Sequence, residues 1–181
     1  MLTILSKLCE EEKFVSIYTN LNDTSRFIFG KILGLDDDFF AIYSVSPDGE
    51  FDGIIVKEIK TILRLELNTQ YCKKMESLIS FNELPILNYD IKNEKILESF
   101  LRFAAQTNEV ISLELLNSEE NDLIGFIELE SLNKNFYKIN QIDCYGHPDG
   151  CSLIPSDNIT GLSYLSKNEI NIKKLFNFIK L

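Results

Sequence analysis

Cys144, His147 and Cys151, flanked by Asp143 and Asp149, are the residues whose types could do chemistry together. Thiolate and imidazole are a suitable zinc set, for structure or for metal-assisted catalysis. The spacing opposes it, because structural zinc usually draws on two close pairs and this run is a single hairpin loop. Cys144 and Cys151 could instead make a redox pair if they faced each other across the hairpin. His147 is the only histidine, so any histidine-dependent acid-base or nucleophilic mechanism passes through it. Asp149 and Ser152 lie near it in sequence, but a triad needs a scaffold that buries its third member. The expectation is therefore no cofactor and no metal, with Cys144, His147 and Cys151 as the metal candidates.

Other chemistry has weaker footing. Glu10, Glu11 and Glu12, then Asp36, Asp37 and Asp38, then Glu119 and Glu120 could pair as acids or bind a cation, yet none has calcium-loop spacing and adjacent carboxylates are ordinarily solvated. Gly30 and Gly34 lie in or beside a strand with no helix after them, so they cradle no phosphate. The aromatics Phe27, Phe29, Phe39, Phe40 and Tyr43 could stack on a single strand, but small β folds use such side chains as core. A net charge of -10 opposes nonspecific phosphate binding, which needs Lys and Arg to displace counterions. It suits a soluble protein or one with a basic partner.

The elements that must position these residues come in two sets. Apolar residues at helical spacing (Leu2, Leu5, Leu8, Cys9) precede the alternating strand Phe14 to Tyr18, and Ile96, Leu97, Phe100, Leu101 and Ala104 precede Ile111 to Leu115. Asn93 is available as a helix cap. Polar loops follow, then strands Phe27 to Leu35 and Leu123 to Leu132, each with an internal glycine, Gly30 or Gly125, that marks a bend. Third strands, Phe39 to Val45 and Phe136 to Cys144, lead to Pro47-Asp48-Gly49 and Pro148-Asp149-Gly150, both read as hairpin turns. Two short strands and a helix end each set, and Pro155 argues for an edge strand in the second. Ser166 and Glu169 form a capping-box pattern. Aligned by residue identity, Ser16 answers to Ser112, Gly30 to Gly125, Asp48-Gly49 to Asp149-Gly150, Ile59 to Ile159, Lys74 to Lys174 and Ile79 to Ile179.

The expected organisation is residues 1–79, a linker over 80–92, and residues 93–181, each part mainly β with a leading and a trailing helix, an α+β class. At 45% apolar and 25% charged residues, the 181-residue chain has a globular composition. No apolar run approaches the roughly 20 residues that span a bilayer, and the start lacks a signal peptide's basic residues. A cytoplasmic location is expected. Cys9 and Cys72 fall on apolar helix faces and are expected in the core.

The run Gly30-Lys31-Ile32-Leu33-Gly34-Leu35-Asp36 resembles the first motif of the Sm-like small β-barrels, and Gly125-Phe126-Ile127 is similar to part of it. The resemblance implies two tandem Sm-like barrels of about 60 residues each. In that family an Asn shortly after the Asp contacts an RNA base, and an Arg-Gly pair sits in the fourth-to-fifth strand turn. Phe39 and Phe40 stand near the first place, and no Arg-Gly pair occurs. Leu123 to Ile127 and Leu153 to Ile159 also resemble the PRC-barrel domains, which serve mostly as assembly modules. The leading expectation is a non-enzymatic protein-binding module, in one form an acidic immunity or inhibitor protein meeting a basic partner through Asp36, Asp37 and Asp38. The alternatives are an RNA-binding protein that gathers Lys31, Lys57, Lys60 and Arg64, and a metal-dependent enzyme at the Cys144 to Cys151 loop.

Overall fold

The computed structural model describes residues 1–82, 84–85, 95–116, 118, 122–128 and 135–180. They form two compact units, Met1–Ile96 and Leu97–Leu181. The linker expected at 80–92, the Asn93 cap and the Glu119–Glu120 pair lie mostly or wholly outside the described residues. The first unit runs α1 (Leu2–Glu10), β1 (Phe14–Tyr18), β2 (Ile28–Leu35), β3 (Phe39–Val45), β4 (Phe51–Glu58), a single 3-10 turn (Ile59–Thr61), β5 (Arg64–Glu66) and α2 (Gln70–Phe81). The second repeats the order as α3 (Ile96–Thr107), β6 (Ile111–Leu115), β7 (Leu123–Ile127), β8 (Phe136–Ile142), β9 (Pro148–Pro155), a 3-10 turn (Ser156–Asn158), β10 (Ile159–Tyr164) and α4 (Lys167–Ile179).

The class is α+β, mainly antiparallel β with four helices among the described residues. The strands lie in the order β5-β1-β2-β3-β4 in the first unit and β10-β6-β7-β8-β9 in the second. Closed barrels were expected, and here the structure differs: within each unit the first and last strands of that order make no ladder with each other, so each sheet is open. Closure needs strands long and tilted enough to meet. β5 has three residues, all spent on β1: Ser16 faces Glu66, Ile17 faces Leu65 and Tyr18 faces Arg64.

The ladders correct the repeat. Val15 faces Gly30 and Ile111 faces Gly125, as residue identity implied. Beyond the third strand the identity alignment slips. Tyr43 faces Ile54 where Asn140 faces Cys151, and the N-caps are Thr69 and Ser166. Gly49 therefore matches Gly146, Asp52-Gly53 matches Asp149-Gly150, and Met75 matches Ile172. Ile59, Lys74 and Ile79 do not match Ile159, Lys174 and Ile179. Pro148-Asp149-Gly150 is no turn: it opens β9, and the hairpin turns earlier, where the Gly146 N–H donates to Asp143 and the Asp143 N–H to His147. Backbone conformation confirms the pairing, since the eight positive-φ residues among the described residues fall into four matched pairs: Glu12 with Asn108, Gly49 with Gly146, Gly53 with Gly150, and Asn68 with Leu165.

In the first unit the sheet carries a helix on each face. Leu5 and Leu8 of α1 join Val15, Ile17, Ile32, Phe40 and Ile42 on one side; Cys72 and Met75 of α2 join Phe29, Tyr43 and Val45 on the other. Strand β1, whose alternation predicts one wet face, is accordingly buried from Val15 to Tyr18. Cys72 is buried and Cys9 half-buried, both as free thiols. In the second unit α4 supplies Ile172 and Phe176 to a smaller cluster with Val110, Ile142, Ile124 and Phe126.

Leu165 holds φ at 60° just before its helix, where the matched residue is Asn68 at 57°. Side chains other than glycine and asparagine pay roughly 1–2 kcal/mol in that conformation. Leu165→Asn is expected to raise stability by about 1 kcal/mol and Asn68→Leu to lower it by a similar amount, read from urea denaturation midpoints at unchanged slope.

Candidate functional site

The hairpin between β8 and β9 is closed by a carboxylate. Asp143 Oδ1 accepts the backbone N–H of Tyr145 at 2.9 Å and of His147 at 2.8 Å, and these bonds, that from His147 foremost, hold the Asp143 carboxyl below its usual range. His147 Nδ1 lies 3.5 Å from Asp143 Oδ2. Cys151 sits opposite Asn140 on the ladder, while Cys144 belongs to the turn; both are exposed free thiols. The two cysteines thus do not face each other. Among the described residues no three His, Cys, Asp or Glu side chains gather as metal ligands.

The acidic trio is divided in the same way. Asp36 is committed to backbone: Oδ1 accepts from Asp38 at 2.8 Å and Phe39 at 2.7 Å, and Oδ2 from Ile96 at 2.7 Å. It caps the turn between β2 and β3, which leaves Asp37 and Asp38 as its exposed carboxylates. The cations proposed for RNA are engaged too. Lys31 lies 3.6 Å from Glu12 and over the Phe14 ring, Lys60 is 2.7 Å from Glu58, and Arg64 is 3.4 Å from Glu66 while covering Tyr18. Of the stacking candidates, Phe29, Phe40 and Tyr43 are buried, and Phe27 and Phe29 meet Tyr71 edge-on. A shallow groove of about 280 Å³ beside α1, lined by Thr3, Ile4, Leu8 and Leu67, contains none of these residues.

What sequence reasoning missed is the outer face of the second unit. α4 is anchored by Glu169, the N3 residue of its capping box. The buried carboxyl accepts from the Ser112 hydroxyl at 2.5 Å, the Ser163 hydroxyl at 3.3 Å and the Ser166 N–H at 2.7 Å, so one group ties the helix to β6 and β10. The hairpin turn rests on the same helix, because a Cβ at Gly146 would come within 2.6 Å of the Leu175 Cβ. Tyr145 beside that glycine is 69% exposed, Leu175 43% and Phe178 77%; on β9, Leu153 is 63% exposed. The signal that could have found this face is the repeat in its correct register, which sets Leu153 against the fully buried Val56.

In the first unit residues 84–85 reach the cluster that packs on α2. The Tyr43 hydroxyl donates to the Pro85 carbonyl at 3.1 Å, and Leu84 packs against the cluster that contains Tyr43. Burial pushes the Tyr43 phenol up to about 12.

Glu169→Ala would strand three donors that share one acceptor, and is expected to cost about 3 kcal/mol, measured by chemical denaturation. For Tyr43 the folded-state value lies above the ordinary value of 10, so the neutral phenol is favoured in the fold. Its contribution is full below about pH 10 and is lost as pH rises through about 12. Tyr43→Phe is expected to remove that part of the alkaline stability loss in denaturation midpoints taken across this range. No protein-family model, no curated protein and no solved structure matches this chain.

Proposed function

We propose that this protein is a non-enzymatic, cytoplasmic protein-binding module that holds its partner through the second unit. One observation carries the reading: the second unit exposes Leu153 on β9, Tyr145 in the hairpin turn, and Leu175 and Phe178 on α4. Apolar side chains scattered singly are ordinary, but several on contiguous elements mark an interaction surface.

At a finer level each unit is an open relative of the Sm-like small barrel. Support comes from the leading helix, from the fifth strand lying beside the first, and from the glycine inside the second strand. Among the described residues, no helix is long and apolar enough to cross a membrane, which fits the location without fixing it. The acidic inhibitor form rests on Asp37 and Asp38, since Asp36 is spent on backbone. RNA binding is disfavoured by the ion pairs of Lys31, Lys60 and Arg64, and the metal-enzyme alternative by the separation of Cys144 from Cys151 on the hairpin.

Affinity capture from cells tests this, using the full chain, a Leu153→Asp/Phe178→Ser variant and an Asp37→Lys/Asp38→Lys variant. The expected result is one protein retained by the parent and lost at least tenfold with the first variant. Loss with the second variant alone would move the surface to the acidic turn. Recovery of RNA with no protein would overturn the reading.

A further inference from the structure

We infer that β9 is a pairing edge for a second copy of this chain: two β9 strands join antiparallel about a twofold axis at Ser152, with Cys151 of each opposite Leu153 of the other. The inference goes beyond the proposed function and does not depend on it, because backbone groups carry the contact. Among the described residues β9 pairs with β8 and with no other strand. The ladder shows which of its backbone groups are left over. Lys138 turns its carbonyl to β7, where it accepts the Glu128 N–H at 3.0 Å, so the rung of Lys138 and Leu153 is a non-hydrogen-bonded one. Leu153, and Cys151 two residues before it, therefore direct their N–H and C=O groups away from β8.

Both ends of this edge are blunted. The Ser156 N–H donates to Asn135 and the Asp143 N–H to His147, which sets the adjacent Pro155 and Pro148 outward on their rungs. Proline has no N–H, so the free edge holds donors only between the two. That window is self-complementary: about an axis at Ser152, every outward donor of Cys151 and Leu153 meets an acceptor. Moving the axis to Leu153 sets Pro155 against Cys151 and leaves a carbonyl without a donor. Moving it to Cys151 sets Leu153 against Asp149, beside the register shift of β9. Cys151 and Leu153 share one side of the strand, and both are exposed, Leu153 by 63%. Pairing gathers them into one apolar cluster, with each leucine and each cysteine about 7–8 Å diagonally from its counterpart. An edge this short buries less than the roughly 1,600 Å² of a standard interface, and both copies are acidic, with a net charge of -10 each. The dimer is accordingly weak, with a dissociation constant on the order of 100 µM, and it tightens as salt screens the repulsion.

Sedimentation equilibrium of the full chain from about 10 µM to about 1 mM tests this. A monomer–dimer equilibrium is expected, weakened about tenfold or more by Leu153→Pro, because proline removes the outward N–H and is tolerated on an edge. Leu153→Val keeps that N–H and is expected to stay within about threefold of the parent. Chemical denaturation checks that both variants fold. A second measurement leaves the edge intact: in a Cys144→Ser chain, Cys151 is the one exposed thiol among the free cysteines, and a bismaleimide matched to the diagonal spacing of about 7–8 Å is expected to join two copies through it. A monomer throughout the range, equal dimerisation of the parent and Leu153→Pro, or weakening by salt would overturn the inference. So would a dimer that the bismaleimide does not link at Cys151.

Discussion

The missing Cβ at Gly30 and Gly125 is the constraint on which each unit depends. A Cβ built on Gly30 would stand 1.9 Å from the carbonyl oxygen of Tyr43, and one on Gly125 2.0 Å from that of Asn140. No side chain fits there, so the second and third strands approach only because the residue is glycine. The register shift that follows, between Ile32 and Gly34, and those beyond Tyr43 and Asn140, bend the sheet. Strand alternation then sets Phe40 and Ile42 toward α1 while Tyr43 and Val45 face α2.

Given this shared frame, the two copies diverge in how they fasten the last helix. The first uses a buried thiol: Thr69 caps α2 through the Cys72 N–H at 3.1 Å, and Cys72 and Met75 enter a cluster rich in aromatics. At the position of Cys72 the second has Glu169, which is affordable only because hydroxyls and a backbone N–H surround it; no buried side-chain nitrogen or oxygen is left unpaired among the described residues. Directional bonds then position α4, and the apolar cluster beneath it needs fewer buried members. A helix held by polar bonds at its start does not require a wide apolar seam along its length.

Much of the architecture was legible from pattern. Helical spacing located the four helices among the described residues, and the capping box at Ser166 and Glu169 formed as written. The repeat is visible too, yet residue identity loses its register from Asp48 onward, because the two copies share backbone roles there and not residue types. Pro-Asp-Gly in both copies looked like one turn, but Gly49 and Gly146 do the turning, while Gly53 and Gly150 hold bulges at φ 84° and 77°. The site was less legible for a related reason. Cys144, His147 and Cys151 attract notice by type, whereas their backbone, pinned by Asp143, keeps them apart. Leu153 attracts none until the ladder shows that its counterpart is buried.

In the binding role proposed above, charge and contact divide the work of recognition between them. The acidic excess is shared evenly by residues 1–96 and 97–181, and many cations are neutralised nearby: Lys13 by Glu11, Lys138 by Glu128, Lys173 by Glu109. Exposed pairs of this kind add little stability, but they remove the positive charge a polyanion would need. The net charge left is negative in both units, and its field acts to about the 8 Å Debye length, a range suited to steering a basic partner rather than holding one. Holding a partner requires short-range, water-excluding contact, which charge spread this evenly does not supply. Exposed apolar side chains such as Leu153 and Phe178 of the second unit are the kind of surface that does supply it.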